Sequence, residues 1–274
     1  EYILNTTVSL VGNITILGQG NSIFQTGTTF RYTGTGACFN FGTTGATAGI
    51  KLKNFKITAN TSDTTSYQVF TGIDVNRGEH MLFENITVTN ANIGIDISAS
   101  TSYVYLLNAS NINISNCKNE GIYLRSTGDW ANGVHIVVGD ISDNEIGIRC
   151  GKGQGNVIEG KASELGRNRT GGILIEGGVY TIKGSLWIEG SPYGIRTTGG
   201  HTLVSGDIYN INRIINDGGS LDVDRKQSHL SYIPQTQLKK GLVYWYSFDE
   251  GTGSSAYDKS SAIKGTFSSA PLWN

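Results

Sequence analysis

The sequence predicts an all-β chain wound as a solenoid, a parallel β-helix, on three observations. A phrase of glycine, isoleucine, any residue and a second inward residue recurs. Its glycines fall at Gly72, Gly94, Gly121, Gly147, Gly172 and Gly194, with intervals of 22, 27, 26, 25 and 22 residues. Within each copy inward and other residues alternate, which is the period of a strand and not the 3.6 of a helix. The composition is turn-dense, with 38 Gly, 3 Pro and many Asn, Thr and Ser; Thr suits strands, and Gly and Asn suit tight turns. Short strands repeating every twenty-odd residues mark a solenoid, whose rungs bury their apolar faces only against one another. A β-sandwich is the competing architecture, but it needs no glycine at a fixed place in each repeat.

The elements follow in chain order. Glu1-Tyr-Ile-Leu opens directly on strand-like sequence, which reads as the interior of a larger protein with no leader peptide. "GACFNF" from Gly36 is an early copy of the phrase, set apart by a longer insertion. Ile73, Ile95, Ile122, Ile148, Ile173 and Ile195 are then expected to stack inward. Val75, Ile97, Leu124, Cys150, Ile175 and Thr197 follow two residues later in a second inward ladder. A second strand recurs in the gaps as "NFKIT" at Asn54, "NITVT" at Asn85 and "NINIS" at Asn111, and less clearly at His135 and Tyr180. The repeated glycine is expected to permit a sharp turn into the strand. Asn92, Asn119, Asn144 and Asn168 are expected at left-handed turn positions, with amides bonded from rung to rung. From Arg225 the rung phrase stops. Residues 1–225 form the predicted β-helix, 226–240 a polar linker, and 241–274 the start of something else.

Charge and composition remove several function classes. The 21 Lys+Arg against 22 Asp+Glu give no basic excess, so neither a nucleic acid nor an anionic membrane is an expected partner. No apolar run is long enough to insert into a bilayer as a helix. Cys38, Cys117 and Cys150 form no framework and read as buried thiols. The Asn-X-Ser/Thr triplets are what so Asn- and Thr-rich a chain contains by chance. The four histidines show no zinc spacing, and "GKGQGN" at Gly151 lacks the remainder of a phosphate loop.

In its repeat pattern, residues 1 to about 225 resemble the pectate-lyase-like family of right-handed, single-strand parallel β-helices. "NITILGQGNSIF" from Asn13 resembles the early rungs of such helices in phage tail spikes and appendages. The resemblance covers most of the chain and speaks to fold more than to activity, because the family holds lyases, hydrolases and non-catalytic spikes. "GLVYWYSFDEGTGSSAYDKSS" from Gly241 resembles the opening of a laminin-G-like, concanavalin-type β-sandwich. Such a sandwich needs more chain than 241–274 supplies, which predicts truncation, the preferred reading, or else a segment that caps the end of the helix.

Chemistry is expected on the outward column between the two inward ladders. In rung order that column reads Cys38, Asp74, Asp96, Tyr123, Arg149, Leu174 and Arg196. The next outward column reads Asn40, Asn76, Ser98, Arg125, Gly151, Glu176 and Thr198. Rungs about 4.8 Å apart make Asp74 and Asp96 neighbours. Stacked like charges call for a shared proton, a cation or a metal. Two chemistries follow. The pair can act as acid and base or nucleophile on a glycosidic bond, at carboxyl separations of about 5 Å or roughly 6.5–9.5 Å. Alternatively it can hold Ca²⁺, with Arg125 or Arg149 beside an acidic sugar. Against both stands the plain reading that outward positions of a solenoid are simply polar.

Two longer loops, Ala99–Asn108 and Arg125–Gly133, are expected to rim the same edge. They bring Tyr103, Tyr105, Asp129 and Trp130, and flat aromatic faces beside carboxylates suit sugar rings. The same aromatics could instead cover the barrel or a subunit contact. A further segment, 60–71, could form another wall. The catalytic candidates are therefore Asp74, Asp96, Arg125 and Arg149, and the substrate-binding candidates are Tyr103, Tyr105, Tyr123, Asp129 and Trp130. No cofactor beyond calcium suggests itself. The resemblance implies a virion-borne spike that binds, and can degrade, host cell-surface polysaccharide, as a homotrimer among other virion proteins. Two alternatives stay open: a secreted or surface-attached bacterial lyase or hydrolase, and a non-catalytic structural or glycan-binding module.

Overall fold

A computed structural model of the 274-residue chain describes residues 1–19, 27–42, 47–59, 69–100, 102–126, 129–209 and 213–223, with three further short strands. The insertion 60–68 lies outside the described residues. Two units divide at Ile233/Pro234. The first is a parallel β-solenoid, and its described residues contain strands and turns without a helix. One ten-stranded parallel sheet takes a strand from each successive rung. Its central members are Ala37–Phe41, Thr71–Val75, Ile93–Ile97, Glu120–Leu124, Ile146–Cys150, Gly171–Ile175 and Ile195–Thr197. A thirteen-stranded sheet takes the intervening strands, among them Lys51–Ala59, Gly78–Thr89, Val104–Ser115, His135–Ser142, Asn156–Gly166 and Val179–Glu189. In the second unit, Ser255–Tyr257 pairs antiparallel with Lys264–Thr266.

The core follows the alternation. Ile73 pairs with Ile95, Ile95 with Ile122, Ile122 with Ile148, Ile148 with Ile173 and Ile173 with Ile195. All six are buried, as are Ile97, Leu124, Cys150, Ile175 and Thr197 of the second ladder. Each rung thus supplies one layer of a continuous apolar column, and no rung could bury that layer alone. The early rungs thicken the column with rings. Phe30 meets Phe39 and Phe55 edge-on at 5.2 Å. All three cysteines are buried and unpaired. Burial pushes the thiols of Cys38 and Cys117 up to about 12, and that of Cys150 up as well.

Two local expectations are corrected. Five of the six repeated glycines lie inside strands and do not turn the chain, and Gly194 directly precedes one. A Cβ on Gly94 would stand 2.5 Å from the Gly121 carbonyl oxygen and 2.5 Å from the Cγ2 of Ile114 on the facing sheet. Gly72, Gly121, Gly147 and Gly172 meet the same two obstacles, a carbonyl of the next rung and an aliphatic side chain opposite. Close approach, and not a special φ, reserves the column for glycine. The left-handed turn residues are Asn90, Asn116, Asp143 and Arg167, not the four asparagines expected. Those four do bond between rungs: Asn119 donates to Asn92 at 2.9 Å, and Asn144 to Asn168 at 3.1 Å.

The second strands are longer than the sequence phrases. Lys51–Ala59, Gly78–Thr89 and Val104–Ser115 each bend at a left-handed asparagine, Asn54, Asn85 and Asn111. Asn85 donates to Asn54 and Asn111 to Asn85, both at 2.8 Å. Each long strand therefore serves two outward faces of the solenoid.

Candidate functional site

The outward column on the ten-stranded sheet forms as expected from its second member on. Asp74 pairs with Asp96, Asp96 with Tyr123, Tyr123 with Arg149, Arg149 with Leu174 and Leu174 with Arg196. Its first member is corrected. Asn40, not Cys38, opposes Asp74, because Phe39 and not Ala37 stacks on Ile73. Cys38 is fully buried.

The two aspartates occupy different surroundings. Asp74 accepts from the Asn40 and Asn76 amides, each at 3.0 Å, and from the Ser98 hydroxyl at 3.1 Å. Asp96 is buried, with its side chain only 3% exposed, and its Oδ2 is ion-paired with the Arg125 guanidinium. Its other oxygen, Oδ1, is buried with no hydrogen-bond partner. Burial pushes the Asp96 carboxyl up to about 7; Arg125 opposes that rise, while Asp74 and Glu120 add to it. An outward position thus becomes an interior one, because Arg125, just past the end of the strand above, folds back across it.

Arg149 belongs to a separate set. It grips Glu176 through Nε and Nη2 at 2.8 and 2.9 Å, and it donates through Nη1 to Glu120 at 3.0 Å. Its guanidinium carbon lies 4.9 Å from the centroid of the Tyr123 ring, and that of Arg125 lies at 5.7 Å. Cation–π contact therefore joins the Asp96–Arg125 pair to the Glu120–Arg149–Glu176 cluster through Tyr123. Glu120 and Glu176 were absent from the residues singled out as candidates. Glu120 carried a signal: it faces Ile146 across the rungs, so a charge stands directly against an apolar neighbour.

The aromatic loops lie around the corner from this column, where the chain passes into the thirteen-stranded sheet. The Asp129 amide donates to the Ala99 carbonyl at 3.0 Å, and the Val104 amide to the Trp130 carbonyl at 3.1 Å, so the two loops stack as rungs do. Asp129 Oδ1 accepts from the Trp130 amide at 2.9 Å. Tyr103, Tyr105 and Trp130 are 42%, 44% and 42% exposed, an aromatic ridge on the outside of the coil. The structure thus joins Asp74, Asp96, Arg125 and Tyr123 in one network. Arg149 adjoins that network, and Tyr103, Tyr105, Asp129 and Trp130 sit on the neighbouring face.

Calcium does not fit the residues present. It takes six to eight oxygen ligands, but Asp74 already receives three donors and Asp96 a guanidinium. Among the described residues no group of three or more His, Cys, Asp or Glu side chains is arranged to hold a metal.

No protein-family model and no curated protein matches the chain. Among solved structures it is similar to the enzymatically active domain of tailspike protein 2 from bacteriophage CBA120. The identity is 14% and the TM-score 0.47, over 81% of this chain and 42% of that one. The chain spans less than half the length of that structure.

Proposed function

We propose that this chain is a tailspike-type β-helix that binds a host cell-surface polysaccharide and cleaves it at the Asp74–Asp96 wall. The carrying observation is the contrast between two neighbouring carboxyls. Asp96 is buried, pushed up to about 7 and left with one oxygen unpartnered, while Asp74 is held by three donors. Paired carboxyls in unlike surroundings are how a site keeps an acid and a base at one pH. In this reading Asp96 protonates the leaving glycosidic oxygen, Asp74 serves as base or nucleophile, and Tyr103, Tyr105 and Trp130 seat the sugar rings. What supports the wider setting is the rung pattern, together with the resemblance of residues 13–24 to the early rungs of phage spikes. That setting is a virion tail, a homotrimer among other virion proteins, and a laminin-G-like sandwich beginning near Gly241.

The test is incubation with a panel of purified bacterial capsular and lipopolysaccharide O-chain polysaccharides. Assays for new reducing ends and for unsaturated products follow. Hydrolysis gives reducing ends without unsaturation, and elimination gives both. Asp96→Asn should lower the rate about 10²–10⁴-fold, the usual worth of a positioned proton donor, with polysaccharide binding retained. Cleavage that survives both Asp96→Asn and Asp74→Asn would discard this wall as the catalytic one. One observation favours a second reading, a glycan-binding wall without chemistry: the Arg125 ion pair covers Asp96. Adsorption of a polysaccharide without any product would decide for it.

A further inference from the structure

A different outward column runs along the far half of the bent strands. Asp140 pairs with Glu164, Glu164 with Trp187, and Trp187 with Tyr209. The rungs therefore set two carboxylates and two aromatic rings side by side on one face. The Trp187 and Tyr209 rings stack with centroids 4.9 Å apart and planes 26° apart, and Trp187 is 42% exposed. Asp140 Oδ1 is buried without a hydrogen-bond partner, although the Asp140 backbone amide is held by Asn113 at 2.9 Å. The next outward step of the strands adds Glu189, opposite Gly166. Arg167 pairs with Glu164 of this group, and most of it is spent elsewhere. It grips Asp143 with two bonds of 3.1 Å and reaches Glu164 only at 3.4 Å.

We infer that Asp140, Glu164, Trp187 and Tyr209 form a second saccharide-binding wall, for an uncharged stretch of polysaccharide. The reasons are chemical. A ladder of aromatic surface continued by carboxylates offers apolar contact to the body of a sugar and acceptors to its hydroxyls. Among the described residues Asp140, Asp143 and Glu164 outnumber Arg167, and this crowding is visible in Glu164. Burial raises its carboxyl, and Asp140, Glu189 and Asp143 raise it further against the opposing Arg167. A surface of that sign repels uronate, sialate and phosphate groups, which selects a neutral chain over an anionic one. The ring pair is continued along its column by Glu164 and not by another apolar side chain, and the exposed part of Trp187 remains available to a ligand.

The inference rests on the proposed reading that the chain binds polysaccharide, and one binding series separates the two. The full chain, Trp187→Ala, Glu164→Gln and Trp130→Ala are compared by affinity electrophoresis. The gels contain neutral polysaccharides (dextran, a neutral O-chain) or anionic ones (a sialic-acid capsule, a uronate capsule). Urea midpoints establish that each variant is folded. The expected result is retardation in a neutral gel that Trp187→Ala weakens at least tenfold, with Glu164→Gln weakening it less. Retardation that Trp130→Ala abolishes and Trp187→Ala leaves unchanged would overturn this wall while keeping the first. Preference for anionic gels would overturn the assignment of sugar class. An absence of retardation in every gel would remove the polysaccharide reading and this wall with it.

Discussion

At the scale of the residue, Asp96 shows how a position's chemistry departs from its place in the alternation. The strand period puts it on the outside, and it is on the outside of the sheet. Its burial could not be read there, because it comes from Arg125, which lies just past the inward ladder of the next rung and folds back over it. The partners of Asp74, by contrast, were legible as a column of Asn and Ser, once the first rung is shifted so that Asn40 and not Cys38 opposes it. Asp96 also carries a prediction. Its carboxyl titrates at about 7 in the folded chain, above the ordinary aspartate value of 3.8. Between those two values the folded state therefore binds more protons than the unfolded one. Its contribution to stability is present at low pH and is lost as pH rises toward about 7, with a slope of roughly 1.4 kcal/mol for each pH unit in that window. Urea unfolding at pH 5 and pH 8 should show this loss, and Asp96→Asn should flatten it. An unchanged slope in the variant would place the ionisation elsewhere.

At the scale of the element, the glycine phrase made the rung legible, although its cause differs from the expected one. A turn glycine would tolerate alanine wherever φ allowed it. These glycines abut a carbonyl of the next rung and an aliphatic side chain opposite. Gly94→Ala should therefore cost about 1–3 kcal/mol, the usual range for overpacking, read as a lower urea midpoint with the slope kept. The bends are the complementary case. Ala162 holds φ 55°, a conformation that Asn54, Asn85 and Asn111 hold in corresponding bends of other rungs. A left-handed alanine is strained where asparagine is at ease, and Ala162 is exposed. Ala162→Asn should thus raise stability by up to about 1 kcal/mol; a drop in the midpoint would show that the site prefers alanine for another reason. The length of the second strands stayed hidden in the sequence. Their phrases stop at the bend, and a bend inside a strand looks like its end.

At the scale of the whole molecule, the solenoid was legible because one constraint is written again in every rung. The second wall was not, since its members lie in the irregular halves of the repeats, where bulges shift the spacing between Val138 and Asp140 and between Lys161 and Ser163. A repeat that touches only its neighbours also unfolds by neighbourhoods, with its ends less secure than its middle. Cys38, Cys117 and Cys150 sit in different rungs of the coil, all three sealed and reluctant to ionise. Alkylation with iodoacetamide under native conditions, read peptide by peptide by mass spectrometry, should modify the three at different rates, each set by the opening of its own rungs. Equal rates at all three would mean that the coil opens all at once. The chain thereby carries its own set of timed fuses: each hidden sulfur stays silent until its stretch of the spiral loosens, and the order in which they fire records where the unravelling began.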